Sequence, residues 1–224
     1  MNYPMVKRLI LKDWYLMRAA IAGYLGAGAL GLYLLTVGSE AAFTAGYILL
    51  ITVLIAVGMH LAMVTVVVER TEHTLPFVMS LPISPAEYTA AKILANVLIF
   101  LVPWAALFSG AIAIISILVD VPDGLIPFVT VVLLEIFAAY CIVLAVAVVS
   151  ESQNWTIGAT VVGNLGLQAF LYYVSHLPGM AAANTGPMAV WSPAIVAIVA
   201  TELAVIVGSI GVTFWLQGRK RDFI

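Results

Sequence analysis

Two carboxylates, Glu135 and Glu202, stand in the middle of long apolar runs. An ionisable side chain in such a run is costly and is a functional candidate by default. Glu135 lies about nine residues beyond Ile126 and Glu202 about eight beyond Ala194, so both sit ~12 to 14 Å along their helices. Gln168 reaches a similar level on the run between them, with Asn164 about one turn before it. No lysine or arginine accompanies them, and an apolar surrounding penalises their charged forms unless water or a cation reaches them. Two readings stay open. The acids are neutral and hydrogen-bonded to neighbours such as Gln168 or Asn164, or they form a polar patch that takes a cationic substrate or moves protons. His60, also inside an apolar run, reads as a hydrogen-bonded packing residue, with a place on such a pathway as its functional alternative. The histidines at 60, 73 and 176 do not converge and no His-Glu-x-x-His occurs, so no metal centre is expected. Cys141, the single cysteine, reads as a small core residue without a histidine near its depth. The chain has no Gly-x-x-x-x-Gly-Lys-Ser/Thr phosphate loop, and the glycine-rich run from Gly23 to Gly31 holds no lysine. ATP hydrolysis is therefore not expected here, and no residue is assigned a catalytic role.

The elements that carry these residues follow from composition. Apolar residues make up 64%, charged residues 9%, and the mean hydropathy is +1.15; a soluble domain carries roughly a quarter charged residues. A bilayer-spanning helix needs about 20 mostly apolar residues. Six runs qualify, at 19–37, 43–68, 93–119, 126–150, 156–173 and 194–216, which predicts an all-α integral membrane protein. Residues 1–224 form a single domain with no room for a soluble catalytic unit. Val6, Leu9, Ile10, Trp14 and Met17 recur at helical spacing, with Lys7, Arg8 and Lys12 elsewhere on the surface. Residues 1–18 are thus expected to be an amphipathic helix lying at the membrane interface. Its charges leave no compact apolar stretch for a cleaved signal, so it is read as retained.

The 9 lysines and arginines fall on one face of a six-span layout. Lys7, Arg8, Lys12 and Arg18 precede the first span, Arg70 and Lys92 lie between the second and third, and Arg219, Lys220 and Arg221 follow the sixth. The connections on the other face carry Glu40, Asp120, Asp123 and His176 but no lysine or arginine. The positive-inside rule then puts both termini in the cytosol of a multi-pass plasma (inner) membrane protein. Gly23, Ala27 and Gly31 recur every four residues, as do Ala159 and Gly163. Such faces let helices approach closely, within one bundle or between two copies.

Residues 69–92 are the longest connection on the basic face. Ser84-Pro85-Ala86-Glu87 is a capping box with proline at the first helical position, which predicts a helix from Pro85 directly into the third span. Thr74 is placed to cap a shorter helix through Leu75, Phe77, Val78, Met79 and Ser80, ended at Leu81-Pro82. Such a helix is too short to be stable alone. Its apolar side chains either meet a partner or pack beneath the protein's own spans.

This stretch, Glu69-Arg-Thr-Glu-His-Thr-Leu-Pro-Phe-Val-Met-Ser-Leu-Pro-Ile-Ser with Lys92 opening the next span, resembles permease subunits of ATP-binding-cassette type-2 exporters. The likeness extends over the whole chain, through the Leu-Ile-Leu-Lys-Asp-Trp helix at residues 9–14 and the six-span layout. The family usually has glycine before its Thr-Leu pair; this chain has His73, and Pro76 is also unusual. The resemblance implies that residues 74–80 are a coupling helix docking on a separate ATPase subunit, present in two copies and holding ATP and Mg. Glu69, Arg70, Thr74, Leu75, Phe77, Val78, Met79 and Leu81 would then be the coupling residues. It also implies a second permease copy meeting this one through spans one and five, where Gly23, Ala27, Gly31, Ala159 and Gly163 would pack. Residues 174–193 would form a re-entrant segment facing outward. The implied activity is export of a hydrophobic or amphipathic substrate such as a drug, peptide or lipid. Nothing implies a nucleic-acid partner. The competing readings are an intramembrane enzyme using Glu135 and Glu202, and a non-transporting scaffold or sensor.

Overall fold

The computed structural model describes residues 3–69, 84–118, 121–177, 179–180 and 184–219. Regular structure among them is wholly helical. The helices are α1 (Tyr3–Leu34), α2 (Glu40–Ala62) continued by a π-helical turn (Met63–Val68), α3 (Pro85–Ile117), α4 (Leu125–Ser150), α5 (Gln153–Ser175) and α6 (Pro193–Arg219). Counting α2 and its π turn as one, all six are long and apolar enough to cross a bilayer.

The N-terminal expectation is corrected. α1 runs unbroken through 32 residues, about 48 Å at the usual rise, instead of dividing into a surface helix and a span. No proline or glycine interrupts the chain between Pro4 and Gly23, so the helix has no reason to stop. Its apolar stripe is also turned to protein. Val6 and Leu9 pack with Ala91 and Tyr88 of α3, and Met17 enters the main core. The 3.6-residue spacing is the same for a stripe facing lipid and a stripe facing a neighbouring helix.

α4 is the centre of the bundle. α2, α3, α5 and α6 all pack on it, while α1 packs on α2 and α3 and α5 scarcely touches α6. Lipid offers no hydrophobic drive between helices, so shape and polar contacts must hold them together. Both are visible where α3 meets α4. The Phe100 ring stacks on Tyr140 with centroids 4.0 Å apart, and the Trp104 indole donates to the Leu133 carbonyl at 2.7 Å. Between α1 and α2 the backbones themselves meet: a Cβ built on Gly46 would lie 2.7 Å from the Gly31 carbonyl oxygen.

The expected capping box forms. The Glu87 amide donates to the Ser84 hydroxyl at 3.3 Å and the Ser84 amide to the Glu87 carboxylate at 2.9 Å. α3 therefore starts at Pro85 and continues without a break into its apolar part. At the opposite end, the chain after α5 folds back on the helix ends. Met180 is buried with Val131, Val174 and Ile195, and the Gly124 amide donates to the Gly186 carbonyl at 3.1 Å.

Candidate functional site

Four charged side chains converge where α1, the π turn and the first turns of α3 meet. The Lys92 ammonium lies 2.9 Å from an Asp13 carboxylate oxygen and 2.6 Å from a Glu69 oxygen. Lys12 bonds to the other Glu69 oxygen and faces the second Asp13 oxygen at 3.4 Å. The Tyr88 hydroxyl donates to Glu69 at 2.9 Å. Asp13 is 1% exposed and Lys92 3%, so these two charges are removed from water, while the Lys12 side chain stays 47% exposed at the rim of the cluster. Such burial is tolerable only because two acids and two bases balance and their hydrogen-bonding capacity is largely met. Helical spacing explains how α1 contributes. Asp13 falls on the Val6–Leu9–Met17 stripe, and Lys12, one residue away, reaches Glu69 from the stripe's exposed edge.

The cluster continues inward as a chain of neutral bonds. The Asn96 amide donates to the Lys92 carbonyl at 2.9 Å, and its oxygen accepts from Thr65 at 2.9 Å. Tyr140 of α4 donates to the Asn96 carbonyl at 3.2 Å. Thr65 lies in the π turn, and its single hydroxyl proton is shared between the Asn96 oxygen and the Leu61 carbonyl, a role suited to a widened turn whose backbone pairing is irregular. Four helices are thus joined by polar contacts from the buried ions to the middle of α4.

Burial pushes the Glu69 carboxyl up, but the Lys92 charge and the hydrogen bonds and charge of Lys12 and Lys92 outweigh it and hold the carboxyl below its ordinary value of 4.5. A depressed carboxylate adds stability that is complete above the ordinary value and fades as pH falls through the lower folded value. Glu69→Gln is therefore expected to cost roughly 1–3 kcal/mol at neutral pH, the scale of hydrogen bonds to charged groups. In thermal unfolding series, its deficit against the unsubstituted protein narrows as pH drops below 4.5.

The other candidates are distributed as follows. Glu135 and Glu202 line one cavity with Phe170, Thr201 and Val205. Among the described residues, the expected hydrogen bonds to Gln168 or Asn164 do not form. Gln168 is exposed, and Asn164 lines a different groove with Gly58, Tyr140 and Gly163. Equal depth on adjacent helices does not make residues face each other. His60 bonds the Tyr24 hydroxyl at 3.0 Å, as its packing reading requires. Gly31 is spent against α2, Ala27 packs on the main core, and Ala159 packs beside Ala62 and Val143. Gly23 is exposed, with open space around it. Arg70, Thr74, Leu75, Phe77, Val78, Met79 and Leu81 lie outside the described residues.

Sequence reading missed Lys12, Tyr88 and Lys92 as partners of Glu69, Asp13 as the second acid of the cluster, and Thr65, Asn96 and Tyr140 as the chain of bonds that continues from it. The available signal was polar residues on otherwise apolar helical faces: Asp13 on the Val6–Leu9–Met17 stripe, and Lys92 and Asn96 at i, i+4 on the third span.

Fold and site together define a multi-pass membrane protein in which both flanks of the connection between α2 and α3 are tied to α1 by buried charges. Compared with protein-family models, curated proteins and solved structures, the chain matches none.

Proposed function

We propose that this chain is the membrane-spanning subunit of an ATP-driven exporter of the type-2 ATP-binding-cassette kind. In this reading its basic end is cytosolic, residues 74–80 dock on a separate ATPase, and two permease copies with two ATPase subunits export a hydrophobic or amphipathic substrate. The observation that carries the proposal is the buried ion cluster. Glu69 precedes the proposed docking segment and Tyr88 and Lys92 follow it, and all three belong to the same knot as Asp13. A displacement imposed on that segment would reach α1, α2 and α3 together, and α4 through Asn96 and Tyr140. That is what transmission from a cytosolic motor requires. An intramembrane enzyme fits less well, since among the described residues the one hydroxyl lining the carboxylate cavity, Thr201, is committed to the Ala197 carbonyl at 2.8 Å.

The test is affinity purification from native membranes with a mild detergent. An ATP-hydrolysing subunit should co-purify, and Phe77→Asp should reduce its recovery and ATP-driven transport at least about tenfold, because losing one anchor of an interface costs 2 kcal/mol or more. The melting temperature of the isolated chain should not change. Absence of any ATPase from the wild-type preparation overturns the proposal.

A further inference from the structure

A cleft runs over α4 between α5 and α6, which scarcely touch. One stretch of it holds Glu135, Phe170 and Glu202. The next stretch, towards Arg219, is bordered by Ile142, Val149, Trp155, Gly208, Val212 and Leu216 and has no charged side chain. Glu202 is 4% exposed, and among the described residues neither of its carboxyl oxygens has a hydrogen-bond partner. A buried acceptor left in that condition carries a full desolvation cost, which a bound donor would remove.

The chemistry of the lining narrows the ligand. Calcium and magnesium take six or more oxygens, and two carboxyls with one committed hydroxyl do not supply them. An ammonium group presents three donors, matched by the two Glu202 oxygens and Glu135, with the Phe170 ring as a face for positive charge. Among the described residues, no lysine, arginine or histidine borders this stretch to compete. An apolar tail attached to the ammonium would continue along the charge-free stretch, since Glu202 to Leu216 spans about 21 Å of helix rise. We propose that the cleft binds an amphipathic amine, its ammonium between Glu135 and Glu202 and its tail along α4 and α6 towards Leu216. Only the role of this ligand as transported substrate rests on the exporter reading.

The test uses the purified chain in lipid nanodiscs without any ATPase, so that its failure is distinct from failure of ATPase pairing. The probes are a long-chain primary amine with a diazirine on its tail and the matching alcohol, with labelled peptides mapped by mass spectrometry. The amine should label the α4 and α6 walls near Gly208 and Leu216, E202Q should reduce that labelling at least about tenfold, equivalent to 1.4 kcal/mol, and the alcohol should label weakly in both. Should E202Q not fold, Gly208→Leu carries the test, because an added Cβ there meets nothing within 4 Å and the larger side chain fills the tail groove. Equal labelling by amine and alcohol overturns the assignment, as does amine labelling that the folded variant leaves unchanged.

Discussion

Lys92→Met is expected to be among the most destabilising single substitutions in this protein, lowering stability by about 3–5 kcal/mol, the usual cost of removing one partner from a buried ion pair. Methionine fits the space, so the loss is electrostatic. Asp13, 1% exposed, and Glu69 would be left to share Lys12. The compensating variant distinguishes this from a packing defect. Adding Asp13→Leu removes the stranded acid and leaves one Lys12–Glu69 pair, so the double variant should recover at least half of the lost stability. Thermal unfolding in detergent, read by intrinsic tryptophan fluorescence, measures both. A double variant as unstable as the sum of its parts would show that the four charges do not act as a unit.

The second large effect is at the α1–α2 crossing. Gly46→Ala should cost roughly 1–3 kcal/mol and Gly46→Val more, the range for overpacking. The obstructing atom is the Gly31 carbonyl oxygen, 2.7 Å from the new Cβ. Backbone cannot rotate aside as a leucine tip can, so α1 would have to shift and disturb the Asp13 contacts it also carries. Gly23→Ala is the matched control, because nothing lies within 4 Å of its Cβ position, and it should stay within about 0.5 kcal/mol of the wild type. Indistinguishable melting curves for the two alanine variants would mean that the helices are not in backbone contact.

These expectations also mark what the sequence made legible. Helix number and position follow from hydropathy because a bilayer imposes length and apolarity on any segment that crosses it. The start of α3 follows from the Ser84–Glu87 capping box, which is local chemistry. The fate of the α1 stripe was not legible, since its period is the same against lipid and against protein. Convergence of Asp13, Glu69 and Lys92 from three separate helices depends on crossing geometry, which no local pattern encodes. Glu135 and Glu202 were legible as residues, but their shared cavity and the lack of hydrogen-bond partners for Glu202 were not. The small-residue pattern was legible as a place of close helix approach, and Gly31 and Ala159 use it inside the chain, but the period alone does not say which neighbour each face meets.

The π turn Met63–Val68 sits directly before Glu69. A π turn holds one residue more than an α turn over the same contour. Tightening it to α geometry would rotate everything beyond it by about 100°, one residue's share of a turn, and swing the Glu69 carboxylate away from Lys92 and Lys12. The contacts of Glu69 with Lys92 and Lys12 are therefore matched to the wider turn, and the register of the π helix and the geometry of the ion cluster hold each other in place.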